Sequence, residues 1–298
     1  MSTYVSASTV EEALEAMSGG ARPVAGGTDL VVGARQGKAP LPDSIVAIHA
    51  IDGLRGISGS GGGLRLGALA THEELVAHPV VRERFTALAD AAAIVGSHAT
   101  RAHGTIGGNL MNASPAMETG GPLVCFDATV TLQGSGGSRE LPVAELFAGP
   151  GQTTADVGEL LTAVDIPEPA AGTGSCYVRL EYRRQMEIAV VGATAVVVLD
   201  GGKISDARIA ITALAPTIHR VSEAESALVG TDGTREPAEA AASAAAAAAA
   251  PISDVRASED YRRAMAAVIT RRAIEAAVAR ASGEVVPIPA SPALHGAV

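Results

Sequence analysis

Hydrophobic and polar positions recur with two periods along the chain, and the switches between them mark its elements. From Ser8 to Ser18, Val10, Leu14 and Met17 fall at helical spacing behind a Ser8 or Thr9 cap and a first turn of acids, which predicts a short helix stopped by Gly19-Gly20. The run from Arg22 begins as a short strand, breaks at a glycine turn and resumes as a helix-compatible apolar run to Arg35. Past Pro40 and Pro42, Ser44 to His49 reads as another strand, so residues 1 to about 55 look like a small α/β unit. Leu54 to Thr71 reads as a hairpin turning on Gly59 to Gly63. Thr71 then caps a helix over His72 to Ala77, and Val81 to Ile94 has the spacing of one longer amphipathic helix. A second glycine break, Thr105-Ile-Gly-Gly-Asn, follows. The apolar run Leu123 to Leu132 ends in a turn at Gly134 to Gly137, and Glu159 to Pro167 is a last strand. The loop Glu168 to Ser175, made of Pro, Gly and small residues, is the best domain boundary.

Beyond it the texture changes. Strands are expected at Tyr177 to Arg179, Ile188 to Leu199 and Ile204 to Leu214, with a Gly201-Gly202 hairpin turn between the last two. Helices are expected at Ser222 to Val229, Ala238 to Ala249 and Ser258 to Ala281. Strands first and helices after is an α+β signature. In the last helix Arg262, Arg263, Arg271, Arg272 and Arg280 alternate with Met265, Val268, Ile269 and Ile274, which reads as a surface helix with a solvated basic face or a partner contact.

Composition narrows the function. The 298 residues are 47% hydrophobic and 18% charged, enough to bury a core in one large or two ordinary domains. A net charge of -10, with aromatics at 2%, argues against nucleic acid, which wants a basic footprint and stacking platforms. Cys125 and Cys176 are too few for an iron–sulfur cluster, a four-cysteine zinc site or a disulfide framework. His98 and His103 flank Arg101 but lack a third ligand, so no metal site is expected. No run is long and apolar enough for a membrane span, and Met1 to Glu15 carries acids where a signal peptide would be basic and apolar, so a cytoplasmic protein is expected.

Two glycine turns stand out, Ala25-Gly-Gly-Thr-Asp-Leu and Thr105-Ile-Gly-Gly-Asn-Leu. Bare backbone at Gly26, Gly27, Gly107 and Gly108 lets N–H groups approach an anion, with Thr28, Thr105 and Asn109 adding neutral donors, so two such nests could clamp a pyrophosphate. Plain chain reversal explains such turns as well, and neither matches a dinucleotide fingerprint or a P-loop.

These turns also carry a resemblance. With the block Arg101 to Pro115 (RAHGTIGGNLMNASP), Gly158 to Pro167, Arg179 to Ala189 (RLEYRRQMEIA), Leu228-Val-Gly and Asp254 to Arg262 (DVRASEDYR), the sequence resembles the FAD-binding medium subunit of the molybdenum hydroxylases, the group of the carbon monoxide dehydrogenase and bacterial xanthine dehydrogenase flavin subunits. The likeness runs from about residue 5 to 281. It implies a vanillyl-alcohol-oxidase-like (PCMH-type) FAD-binding domain over 1–170, with subdomains of about 1–55 and 56–170. A C-terminal domain with a small antiparallel sheet and a helical bundle would span 171–285, leaving a tail at 286–298.

By that resemblance Val24, Ala25, Gly26, Gly27, Thr28, Asp29 and Leu30 hold the FAD pyrophosphate with Thr105, Ile106, Gly107, Gly108 and Asn109. Glu118 stands where the family's usual Asp meets the cofactor, Leu161 beside the adenine, and Arg179 where Lys is frequent. Val95 and Ile188 stand where relatives carry aromatic rings, so aliphatic side chains would cover the flavin. Glu187 is a candidate for the flavin edge, or a salt-bridge partner of Arg183 or Arg184. The first turn, Ala-Gly-Gly-Thr-Asp and not Ala-Gly-Gly-His-Ser, leans away from carbon monoxide dehydrogenase itself.

The resemblance implies a non-covalent FAD subunit that passes electrons from a [2Fe–2S] subunit to an external acceptor. The molybdenum cofactor and the clusters would sit on a large and a small partner chain in a dimer of heterotrimers, with no catalytic side chain here. A stand-alone FAD oxidase of small alcohols or amines, or a structural subunit that has lost FAD, are the alternatives.

Overall fold

The computed structural model describes residues 3–37 and 39–295. The chain opens with a three-stranded parallel sheet in the order β1 (Thr3–Ser6), β3 (Ser44–Ala47), β2 (Arg22–Val24), crossed by helices α1 (Val10–Ser18) and α2 (Thr28–Arg35). The Thr9 hydroxyl caps α1 by accepting from the Glu12 N–H. Strand β1 escapes the sequence pattern because all four of its residues are exposed and leave no alternation to read.

A five-stranded antiparallel sheet follows, in the order β4 (Ile57–Ser60), β5 (Gly63–Gly67), β10 (Leu160–Ile166), β6 (Thr129–Gly134), β7 (Gly137–Pro142). The helices α3 (His72–Ala77), α4 (Pro79–Arg84), α5 (Thr86–Ala93), α6 (His98–His103), α7 (Ile106–Asn112) and α8 (Gly120–Cys125) lie between β5 and β6. A four-residue helix α9 (Val143–Leu146) and the small pair β8 (Phe147–Gly149) and β9 (Gln152–Thr153) lead to β10. The single helix expected over Val81 to Ile94 is two, broken at Phe85, whose φ/ψ of −119°/49° is not helical. The break turns its buried ring edge-on to Phe126, with centroids 5.2 Å apart. The apolar run from Leu123 opens as the end of α8, where Gly120 and Gly121 let that helix pack against Ile218 and the hydroxyls of Thr194 and Thr212, and becomes strand only from Thr129.

The last part is a meander of β11 (Thr173–Leu180), β12 (Val191–Asp200), β13 (Lys203–Thr212) and β14 (His219–Arg220), covered by α10 (Ser222–Ser226), α11 (Arg235–Ala248), α12 (Glu259–Ala281) and α13 (Ala290–Leu294). Strand β11 starts inside the stretch expected to be a loop up to Ser175. Helix α12 is not the amphipathic surface helix that its arginines suggest. Lying between the sheet and α11, it buries Arg262, which donates to the Val190 carbonyl at 2.6 Å and to Asp254 at 2.7 Å. Its Arg280 grips the fully buried Asp90 of α5 through two hydrogen bonds, 2.6 and 3.0 Å long. Asp90 also accepts from the N–H groups of Tyr177 and Ala290, so one carboxylate ties α5, β11, α12 and the start of α13 together. Asp90→Asn halves its accepting capacity and should lower unfolding stability by roughly 2–3 kcal/mol in urea titrations, the scale of hydrogen bonds to a charged group. A loss under ~0.5 kcal/mol would show the clamp to be idle.

Among the described residues no helix is long and apolar enough to cross a membrane. Of the tail 286–298, the last three residues lie outside those described.

Candidate functional site

Strand β2 ends at Val24 and the chain turns through Ala25, Gly26 and Gly27 into α2. Gly27 has φ +69°, a left-handed conformation that a side chain disfavours, and α2 starts there with no side-chain cap. The positive end of α2 thus lies at the turn, with the Asp29 carboxylate in its first turn. A Cβ on Gly26 would lie 2.6 Å from the carbonyl carbon of His103 and 3.2 Å from the Gly104 nitrogen. The first glycine turn thus lies backbone to backbone against His103 and Gly104, the residues that lead into the second.

The second turn is built differently from the expected nest. Thr105 caps α7 by accepting the Gly108 N–H at 3.0 Å, while the N–H groups of Ile106 and Gly107 donate to the carbonyls of Ala70 and Ala68, both at 2.9 Å. Those three N–H groups are committed to the protein and leave no second backbone nest. Gly107 is required by packing, since a Cβ there would sit 2.7 Å from the Ala68 oxygen and 2.8 Å from the Ala68 Cβ. Gly108 keeps the exposed side of the turn bare. What the turn offers a ligand is Asn109, half-buried, whose Oδ1 accepts from the Thr119 hydroxyl at 2.6 Å and so leaves its amide nitrogen as the outward donor.

His72 lies under this junction, its N–H donating to the Gly104 carbonyl and its ring beside Gly104. Burial, helped by the Arg101 charge, lowers its pKa to about 4. In the unfolded chain the ring takes a proton near its ordinary value of about 6.5, so the unfolded state binds more protons between pH 6.5 and 4. Stability is fully present above pH 6.5 and is lost on acidification, by about 3 kcal/mol at pH 4. Urea midpoints measured across that window should fall in the wild type and fall less steeply in His72→Gln. Parallel curves would contradict the assignment.

Arg179 is the second centre. Its side chain is fully buried, with Nη1 2.6 Å from Glu118 Oε1 and Nε 2.5 Å from Glu181 Oε2. Burial works against the guanidinium charge, yet Glu118 and Glu181 keep its pKa above the ordinary value. The same burial pushes the Glu118 carboxyl up, with Arg179 opposing. Arg179 Nη1 also donates to the carbonyls of Ile94 and Glu187, at 3.1 and 3.3 Å. Val95 is held by Arg101, which donates to its carbonyl at 3.1 Å, and the Met186 N–H donates to Gly96. Val95, Glu118, Glu187 and the exposed Ile188 are thereby gathered around one guanidinium whose remaining nitrogen, Nη2, is buried without a protein partner among the described residues.

The predicted residues fall into two groups. Gly26 in the segment Val24 to Leu30 meets the chain leading into Thr105 to Asn109, and Val95, Glu118, Glu187 and Ile188 gather around Arg179. Leu161 is only 2% exposed in the core of β10 and presents neither its side chain nor its backbone at the surface. Glu187 resolves toward its second alternative, with Oε2 on Arg183 at 3.2 Å and Oε1 accepting the Ile188 N–H at 3.1 Å. His98 is engaged by Arg101, whose Nη2 lies 3.0 Å from His98 Nδ1. The sequence reading passed over Glu181, although its position two residues along from Arg179 at the end of β11 was a readable signal.

Comparison with known proteins adds the family. Residues 1–169 match "FAD binding domain in molybdopterin dehydrogenase", and residues 177–277 match "CO dehydrogenase flavoprotein C-terminal domain". The carbon monoxide dehydrogenase medium chain of Hydrogenophaga pseudoflava is 33% identical over 239 residues, 80% of this chain and 83% of that one. A putative xanthine dehydrogenase FAD-binding subunit of Escherichia coli strain K12 is 29% identical over 286 residues, 95% of this chain and 98% of that one. A solved carbon monoxide dehydrogenase from Hydrogenophaga pseudoflava, a form lacking the Mo-pyranopterin moiety, superposes with a TM-score of 0.89 at 33% identity, covering 93% of this chain and 97% of its counterpart.

Proposed function

The chain belongs to the family of FAD-binding domains in molybdopterin dehydrogenases, and on that premise we propose that it is the electron-transfer flavoprotein subunit of a molybdenum hydroxylase. It takes electrons from a [2Fe–2S] subunit onto FAD and hands them to an external acceptor. The hydroxylated substrate binds on a large molybdenum subunit, and the assembly is a dimer of heterotrimers. The FAD-binding part spans 1–170 and the C-terminal part 171–285.

The observation that carries this reading is the backbone contact of Gly26 with His103 and Gly104 beside the N-terminus of α2. It makes a bare floor with a positive end, which suits a pyrophosphate. The buried, unpartnered Nη2 of Arg179 supplies a fixed donor of the kind a flavin carbonyl or ring nitrogen accepts. Bound FAD supplies the redox chemistry. The residues of this chain bind, orient and shield it. Val24 to Leu30 cradle the phosphates, Thr105 and Asn109 add neutral donors, and Ile106 and Gly107 hold the second turn against Ala68 and Ala70. Val95 and Ile188 cover the ring, Leu161 lies beneath the adenine, and Glu118 with Glu187 fixes the position of Arg179. No side chain acts as nucleophile or general base. The two thiols are buried and unbridged, which supports a cytoplasmic location.

Purification of the full chain from its native host, with mass spectrometry of what comes with it, should return an iron–sulfur chain and a large molybdenum chain. Oxidation of small alcohols or amines by the chain alone, with oxygen, would favour the stand-alone oxidase instead.

A further inference from the structure

Strand β11 is an edge strand, since its sheet runs in the order β11-β12-β13-β14. An edge leaves every second residue's N–H and C=O facing away from the neighbouring strand. On β11 those groups are met by side chains. The Ser175 carbonyl accepts from Thr86 and Arg280, and the Tyr177 N–H donates to Asp90. At Arg179 both groups are taken by the segment after α12: its N–H donates to Ser291 Oγ at 2.9 Å, and its carbonyl lies 2.7 Å from His295 Nε2. Arg272 Nη1 stands 2.5 Å from His295 Nδ1. A guanidinium only donates, so Nδ1 must accept and Nε2 must carry the hydrogen that bonds the Arg179 carbonyl.

The segment is itself tied down. Arg280 donates to the carbonyls of Val286 and Pro287 at 3.3 and 3.0 Å, the Ala290 N–H donates to Asp90, and Ala290 and Ser291 are fully buried. Residues 286–295 also lie beyond the end of the matched C-terminal domain at residue 277.

We propose that residues 286–295 form a positioning strap for the cofactor site, with Ser291 and His295 clamping the Arg179 backbone so that its guanidinium stays fixed between Glu118 and Glu181. The strap rests on the reading of Arg179 as a flavin-facing donor. The Arg179 side chain can present Nη2 in one place only if its backbone does not move, and the β11–β12 ladder leaves both of its outward polar groups to the strap. Ser291 and His295 are positioning residues; neither touches the ligand.

The test uses the full chain reconstituted with FAD, measuring the dissociation constant and the visible spectrum of the bound flavin. His295→Ala should weaken FAD binding about tenfold, the cost of one hydrogen bond's worth of disorder at Arg179, and alter the flavin absorption envelope. His295→Gln, whose amide nitrogen reaches the same place as Nε2, should recover most of the affinity. Leu294→Ala, which removes packing but neither hydrogen bond, should lower the melting temperature without changing the FAD constant or the spectrum. Unchanged FAD binding in His295→Ala, no recovery in His295→Gln, or equal weakening by Leu294→Ala would each overturn the strap while leaving the flavoprotein reading intact. Failure of the wild-type chain itself to bind FAD would overturn that reading, and the strap with it.

Discussion

Gly26→Ala should give a folded protein that retains no FAD. The added methyl has nowhere to go: its position overlaps the His103 carbonyl, with the carbonyl carbon 2.6 Å away, and backbone cannot rotate aside as a flexible side chain could. The turns must therefore separate. Separation pulls the start of α2 away from the second turn, and the donors at Thr28 and Asn109 lose their common geometry. Because Gly26 is exposed on its outer side and lies outside the hydrophobic clusters, the cost to global stability should stay near the 1–3 kcal/mol typical of overpacking. Flavin content by absorbance, together with an unfolding curve, separates the two effects. Full flavin content in Gly26→Ala would contradict the proposed cradle. Gly107→Ala is a useful contrast, since its Cβ would press on Ala68 inside the protein and so should cost stability first and flavin second.

Arg179→Met should be the most damaging single change. It removes the only cation within hydrogen-bonding distance of Glu118 among the described residues and strips Glu181 of its Nε contact, leaving two carboxylates in a space that excludes water. Breaking a buried ion pair from one side typically costs about 3–5 kcal/mol because the orphaned charge stays behind. Glu118, whose pKa burial already pushes up, would take a proton instead of staying charged. Adding Glu118→Gln to Arg179→Met should consequently restore part of the lost stability, which a double-mutant cycle in urea measures directly. Neither the double nor the single variant should bind FAD with wild-type affinity. A single-variant loss below ~1 kcal/mol would mean that water or another group solvates these carboxylates.

The sequence was legible where a local rule governs. The Thr9 and Thr71 caps, the Gly201-Gly202 hairpin and the glycine turns each follow from a short-range preference that the fold obeys. It misled where a tertiary contact overrides the local pattern. Val81 to Ile94 has helical spacing throughout, but the helix is broken at Phe85, whose ring packs against Phe126. The α12 arginines look solvated in one dimension, while two of them face the interior because their partners, Asp90 and Asp254, arrive from elsewhere in the chain. At the site, the motif located both turns, but in the second Gly107 serves packing and the N–H groups of Ile106, Gly107 and Gly108 are spent on Ala70, Ala68 and Thr105. The buried Arg179 cluster could be inferred only one residue at a time, since the pairing of Glu118 with Arg179 spans 61 positions and no periodicity encodes it.

If this chain holds FAD without a covalent bond where Gly26 packs against His103 and Gly104, the flavin should come away from the denatured protein intact. Reconstitution of the purified full-length protein with FAD, gel filtration and quantification of flavin before and after acid precipitation tests it in one step. One FAD should be retained per chain, and all of it should be released into the supernatant. Protein that elutes without flavin, or flavin that stays with the precipitate, would contradict it.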